Sequence, residues 1–178
     1  MKKLVTTLFI CLLTFNINAQ DNAEKEIDYS NKVKTLDSII GTLYDVISGE
    51  RGEARDWALF KHLFKPNAKL IPSGKDKKGV YKVRYMKPDD YIKSSGKWLV
   101  DNGFFEKEIH RKVDAFGHIA QVFSTYEAYK SEGDEKPFMR GINSIQLFYD
   151  GLRWWIVNVF WTQETKDQPM PNIYLPKQ

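Results

Sequence analysis

Two carboxamides stand where large apolar residues are expected. "FYDGLRWWIVNVFW" carries Asn158 inside a run of tryptophan, isoleucine, valine and phenylalanine, and the preceding "RGINSIQLFY" carries Asn143. Asp150-Gly151 is a strong two-residue hairpin signal. A two-residue turn there puts Tyr149 opposite Leu152, Leu147 opposite Trp154, Ile145 opposite Ile156, Asn143 opposite Asn158 and Gly141 opposite Phe160. Strand side chains alternate between faces, so these residues share one side. The two amides then sit across from each other on an apolar face. Either they satisfy each other or backbone as core groups, or they orient a ligand in an apolar pocket. On the second reading Trp154, Ile156 and Phe160 supply apolar wall. An amide does not exchange protons near neutral pH, so it can orient a ligand but cannot act as a general base.

The hairpin before it offers the titratable candidates. With a two-residue turn at Phe116-Gly117, one side carries Lys107, Ile109, Arg111 and Val113 with Ala120, Val122, Ser124 and Tyr126. The other carries Glu106, Glu108 and His110 with Phe123, Thr125 and Glu127. The first set is the more apolar and is expected to line the interior, which makes Arg111 and Tyr126 pocket candidates. A single bulge exchanges the faces and brings in His110 and Glu127 instead. His110 and Tyr126 are the catalytic candidates, and the ligand-binding set is Asn143, Asn158, Tyr126, Arg111, Trp154, Ile156 and Phe160.

Other chemistries find little support. His62, His110 and His118 are the only histidines, and none has a metal-ligand spacing with another, so no metal or other cofactor is expected. Asp89 and Asp90 read as acids at a helix N-terminus. "SGKDKKG" lacks the pattern of a phosphate-binding loop, and no Ser/His/Asp triad can be assembled.

The elements that must position these residues follow from periodicity. Val33, Leu36, Ile39, Ile40, Leu43, Tyr44 and Ile47 recur at helical spacing and predict a helix over about 31–48. "ARDWALFKHLF" reads as a short second helix ended by Pro66. "AKLIPSG" and "VYKVRYM" read as strands. Pro88 with Asp89 and Asp90 opens a third helix that ends near Asn102-Gly103. From there "FFEKEIHRKVD", "HIAQVFSTYEAYK", "FMRGINSIQLFY" and "RWWIVNVFWTQE" are strands. Helices followed by a long antiparallel meander predict an α+β fold. On the face away from Asn143, Trp155, Val157 and Trp161 are too apolar for open solvent. A homodimer through this sheet face explains them, as does coverage by the C-terminal tail.

Composition bounds the class. The chain has 178 residues, 42% hydrophobic and 14% aromatic, which fits one globular domain. "MKK", the apolar "LVTTLFICLLTFNI" and Ala19 have the layout of a secretory signal peptide, and the apolar stretch is short for a membrane span. The expected organisation is a signal peptide over 1–19, a linker over 20–30, one α+β domain over 31–165 and an extended tail over 166–178. A periplasmic or secreted location is expected, with no membrane association after cleavage. Cys11, the single cysteine, leaves with the signal. Loss of Lys2 and Lys3 lowers the net charge of +4 by two units, too even a balance to argue for nucleic acid.

"TLYDVISG", "RDWALFKHLFKPNAKLIPSG", "GHIAQVFSTYEAY" and "RGINSIQLFYDGLRWWIVNVFW" together resemble the nuclear transport factor 2-like superfamily, in particular its SnoaL-like and uncharacterised secreted branches. The resemblance covers roughly residues 31–165. It implies a cone, in which a curved antiparallel sheet wraps around the N-terminal helices and encloses a pocket, and it implies dimerisation through the sheet. Enzymes of that family use pocket Asp, His or Tyr residues as acid–base groups. Three functions are thus expected in order. The first is an exported protein that binds a small, mostly apolar molecule. The second is a lyase or isomerase of the polyketide cyclase or ketosteroid isomerase type, favoured if a carboxylate lies on the concave face. The third is a protein-interaction module acting through the sheet face.

Overall fold

The computed structural model describes residues 27–177; the signal peptide expected over 1–19 and most of the linker lie outside the described residues. The first helical stretch is two helices rather than one, α1 (Ser30–Val33) and α2 (Leu36–Ile47). Thr35 restarts the helix as an N-cap. Its hydroxyl accepts from the Ser38 backbone N–H at 3.0 Å, and the Ser38 hydroxyl accepts from the Thr35 N–H at 2.9 Å. This reciprocal box satisfies two otherwise unpaired donors and so fixes where α2 begins. The face of α2 that carries Ile39, Ile40, Leu43, Tyr44 and Ile47 is buried. Helix α3 (Trp57–His62) is capped by Asp56, which accepts from Leu59 N at 2.8 Å.

The third helix begins at Pro88 as expected, but it is wound unevenly. α4 (Pro88–Tyr91) runs through a π-helical turn, Ile92–Gly96, into α5 (Lys97–Asn102). Such turns are frequent at functional sites. Gly96 ends this one where the Trp57 ring passes: a Cβ there would stand 3.1 Å from Trp57 Cζ2.

The strands are β1 (Phe64–Lys75), β2 (Tyr81–Val83), β3 (Phe105–Phe116), β4 (Ile119–Tyr129), β5 (Met139–Tyr149) and β6 (Trp154–Gln163). They form one curved, open sheet in the order β2-β1-β6-β5-β4-β3. Every neighbour is antiparallel except β1 with β6, which run parallel. β1 follows α3 onto the outer edge of the final strand, and the helices and the rest of the sheet form the long crossover that a parallel pair requires. The core lies between α2, α3 and the concave face, where Val122, Tyr126, Ile145, Leu147, Ile156 and Val159 are buried.

Register departs from the sequence expectation in both long hairpins. The β5–β6 turn spans four residues, with Tyr149 opposite Trp154. Asp150 Oδ1 accepts from the N–H groups of Leu152 and Arg153, both at 2.9 Å. This lengthening alone keeps the alternation of faces. A bulge does not: Leu147 pairs with Ile156 and Gln146 with Asn158, leaving Val157 as an extra residue. Beyond it, Val159 and Trp161 turn inward, while Asn158 and Phe160 turn outward. In the other hairpin the turn is Gly117-His118, since Phe116 pairs with Ile119. A second bulge leaves Ile109 without a partner, between Glu108 opposite Tyr126 and His110 opposite Thr125.

The C-terminal segment is not simply extended. Its 3-10 turn, Asn172–Tyr174, lies on the outer face of the sheet. The Tyr174 ring packs on Phe123 at 5.0 Å, and its carbonyl accepts from Thr125 Oγ1 at 2.7 Å.

Deleting Val157 removes the bulge and would drive Trp161 and Val159 out of the core. The deletion is expected to abolish cooperative thermal unfolding. Val157→Ala keeps the residue count and changes an exposed side chain, so it should stay within about 1 kcal/mol of wild type in urea titration.

Candidate functional site

The concave side of the cone holds a partly open cavity of about 220 Å³, small beside the roughly 300–1,000 Å³ of drug-sized ligand sites. Helix α2 contributes Leu43 and Ile47, α3 contributes Phe60, and the α4–α5 region contributes Tyr91, Ser95, Trp98 and Leu99. The strands add Leu70, Glu106, Tyr126, Met139, Asn143, Val159, Trp161 and Gln163, with Phe104 just before β3.

Among the described residues, Glu106 is the one carboxylate in this wall. The Ile109 bulge puts it there: residues on the turn side of the bulge keep their expected face, and those on the far side exchange. Glu106 and Glu108 therefore face inward, while His110 stays outside. Burial pushes the Glu106 carboxyl from an ordinary value of 4.5 up to about 7, partly offset by a hydrogen bond from Asn143. Desolvation disfavours the charged form of an acid, which is the dominant effect.

A directed chain of hydrogen bonds holds this carboxyl. Arg111 pairs with Glu108, and its Nη1 also reaches Asp37 Oδ1 on α2 at 2.7 Å. The ion-paired Glu108 accepts from the Ser124 hydroxyl. Ser124 has then used its proton and must accept from Tyr44 Oη, 2.7 Å away. Tyr44 in turn accepts from Asn143 Nδ2 at 3.1 Å. The second amide hydrogen of Asn143 goes to Glu106 Oε1 at 3.0 Å. Tyr44, Ser124 and Asn143 are buried, so the links among them are shielded from competing water.

Among the polar atoms of the wall, Glu106 Oε2 and the hydroxyls of Tyr91 and Tyr126 have no protein partner among the described residues. None of the three is among the sealed, unpaired atoms of the interior, so each retains access to the cavity. Burial, and then the Glu106 charge, raises the pKa of both tyrosines, which keeps them protonated as donors. Gly141 makes room for one of them. A Cβ at Gly141 would lie 2.6 Å from Tyr126 Oη and 2.4 Å from the Thr162 carbonyl. Trp161 and Tyr91 meet edge to face at 6.5 Å, and Tyr91 stacks on Phe60 at 5.4 Å.

The residues singled out from sequence distribute as follows. Asn143 and Tyr126 line the cavity. Arg111 faces inward but is taken up by Glu108 and Asp37. Trp154 and Ile156 pack in the core away from the cavity. Asn158 is on the outer face, donating to Gln146 Oε1 at 2.8 Å, and Phe160 is 41% exposed there. The Val157 bulge is the cause of both displacements. Trp161 was expected outside beside Trp155 and Val157, and the same bulge turns it into the cavity. His110 lies on the outer face, its Nε2 buried and unpaired. Glu127 is also outside, 3.6 Å from Arg140. The bulge belongs to β3 alone, so it moves Glu106 and Glu108 rather than His110 and Glu127. Sequence reasoning missed Glu106, Glu108, Tyr44, Ser124 and Tyr91. The i, i+2 spacing of "EKE" marked two carboxylates for one strand face, which is the one signal that pointed to them.

Among the described residues, no group of three His, Cys, Asp or Glu side chains converges as a metal site, and no helix is long and apolar enough to cross a membrane. Fold and site together define a cone-shaped α+β protein with an aromatic cavity and one enclosed carboxyl. Solved structures share this architecture. A nuclear transport factor 2-like protein of unknown function from Silicibacter pomeroyi DSS-3 is 16% identical, covering 78% of this chain and 100% of that one at a TM-score of 0.52. A provisionally assigned ketosteroid isomerase from Parabacteroides distasonis is 10% identical, with 77% and 98% coverage and a TM-score of 0.51. A cystatin-like-fold protein of unknown function from Nostoc punctiforme reaches 0.54 at 8% identity, with 72% and 87% coverage. The chain thus has the nuclear transport factor 2-like fold. No protein-family model and no curated protein matches the sequence.

The raised Glu106 pKa has a stability signature. Between about pH 4.5 and 7 the folded state binds a proton that the unfolded chain has lost, so this group's contribution falls as pH rises through that window. Glu106→Gln removes the titration. Its stability relative to wild type should rise between pH 5 and 8 by on the order of 2–3 kcal/mol in urea titrations. Asn143→Ala should shift the Glu106 titration, followed by carboxyl 13C NMR, further upward because a donor to the charged form is lost.

Proposed function

We propose that this protein is an exported acid–base catalyst, of the lyase or isomerase kind, acting on a small and mostly apolar molecule held in the cone. The observation that carries this reading is the place of Glu106: a carboxyl on the concave face, its pKa pushed up to about 7 by burial, with one oxygen held by Asn143 and the other open to the cavity. A general base is most effective when its pKa lies near the working pH. Glu106 Oε2 takes a proton from the bound molecule or returns it, while the hydroxyls of Tyr91 and Tyr126 donate to an oxygen that gains negative charge. The apolar wall keeps water from competing for the proton. The likeness to the Parabacteroides protein supports the fold on which such a site is built, and the secretory pattern of the first 19 residues supports export.

Simple binding without chemistry was the first expectation from sequence, when the inward set held Asn143, Asn158, Tyr126 and Arg111 but no carboxylate. A carboxylate on the concave face shifts the preference to catalysis. The test is deuterium exchange from D2O into a panel of small cyclic ketones and hydroxy-ketones, read by mass spectrometry. Wild type should label at least one compound, with a rate that rises as pH passes through about 7. Glu106→Gln should lower that rate by roughly 10²-fold or more. Equal labelling by the two proteins, or a Glu106 carboxyl that titrates like a free glutamate, rules the reading out.

A further inference from the structure

The charge inventory of the cavity points to the class of molecule it takes. Among the described residues, no lysine, arginine or histidine lines it. An anionic ligand would meet a buried carboxyl with no counter-ion, in surroundings where an unpaired charge is costly. Six aromatic rings stand in the wall: Phe60, Tyr91, Trp98, Phe104, Tyr126 and Trp161. Ring faces attract cations, and they do so more strongly where water is excluded. The second oxygen of the carboxyl, Oε2, has no partner among the described residues and is not sealed from this space. Together these make a cage with one anionic corner.

We infer that the cavity takes a small organic amine in its ammonium form, with the nitrogen on Glu106 Oε2 and the carbon skeleton among the aromatic rings. The inference rests on the reading of Glu106 as an ionisable carboxyl open to the cavity, and names the class of ligand that this carboxyl holds. Proton balance is simple: the ammonium keeps its proton and pairs with the carboxylate, and a protonated Glu106 gives its proton to solvent when the ammonium binds. A bound ammonium favours the ionised carboxyl, so binding to the protonated form releases a proton. The titratable groups packed around Glu106 are Tyr44 on α2, Tyr91 on α4 and Tyr126 on β4, all held protonated by burial and by the Glu106 charge. Glu108 lies two residues along the same strand and is neutralised by Arg111. None of these competes with the ligand for the Glu106 charge between pH 5 and 8.

Three probes of one shape separate the alternatives: cyclohexylmethylammonium, cyclohexylmethanol and cyclohexanecarboxylate. Binding to the full chain is followed by calorimetry and by the fluorescence of Trp98 and Trp161. At pH 8 the ammonium should bind at least tenfold more tightly than the alcohol, and the carboxylate most weakly. Lowering the pH to 5.5 should weaken the ammonium by roughly tenfold or more, because only the ionised fraction is competent, and leave the alcohol unchanged. Glu106→Gln should erase the ammonium preference but keep alcohol binding, which shows that the cavity is intact. The inference is overturned if the alcohol or the carboxylate binds as tightly as the ammonium, or if the preference survives in Glu106→Gln. A carboxyl 13C titration separates the two levels. Titration near neutrality without ammonium preference defeats the amine assignment alone, whereas ordinary glutamate titration defeats the acid–base reading itself.

Discussion

Asn143 has two amide hydrogens, and the interior uses both. One is committed to Tyr44 and the other to Glu106. Because Ser124 must give its proton to Glu108, and Tyr44 must give its proton to Ser124, the direction of every bond between Arg111 and Glu106 is set. The chain has one consistent arrangement, and it ties α2, β3, β4 and β5 together through buried polar atoms. A single unpaired member would cost about 1–3 kcal/mol, so the chain specifies the geometry of the cone as well as its chemistry. It also creates an asymmetry. Glu108 and Glu106 stand two residues apart on one strand face, yet one is neutralised by an arginine near the surface and the other receives a single amide hydrogen inside an apolar cavity.

Two bulges make that asymmetry available. Without the extra residue at Ile109, Glu106 and Glu108 would face away from the core and Lys107 would face into it. Without the extra residue at Val157, Trp161 would leave the cavity and Asn158 would enter it. A bulge bends its strand and strengthens the local twist, so the same two residues that re-aim the side chains help curve the sheet around α2. Curvature and site chemistry have one local cause here.

The α+β class, the helical regions and the four strands of the C-terminal meander were legible because hydrophobic periodicity over 10–20 residues averages out local exceptions. Faces were legible only up to the first bulge on each strand. Tyr126 and Asn143 could be placed because β4 and β5 have no bulge of their own. Asn158, Phe160 and Trp161 could not, since one extra residue reverses every assignment beyond it. Nothing in "WIVNVF" marks Val157 as the extra residue: Ile156, Val157 and Val159 suit a regular strand equally well. The bulge is selected by tertiary packing, which gains from burying Val159 and Trp161 together with Ile156. The parallel β1–β6 pair was hidden for a related reason, because strands far apart in sequence are paired by the whole sheet and leave no local mark.

The interior of this protein contains an apparent error of folding economy. Glu106 is enclosed among aromatic rings with one amide hydrogen for company, and its elevated pKa measures the cost of ionising it there. A leucine at 106 would avoid that cost and give Asn143 one fewer acceptor. Local choices elsewhere in the chain agree with the fold: the Thr35–Ser38 box starts α2, Asp56 caps α3, and Gly141 clears space for Tyr126. A sequence so consistent in its caps and close approaches, yet discordant at one enclosed carboxyl, places the discordance where function is expected to be. The burial that destabilises the ionised carboxyl also brings its pKa into the range where it can exchange a proton at neutral pH. The structural cost and the chemical capacity of Glu106 are therefore the same quantity seen from two sides.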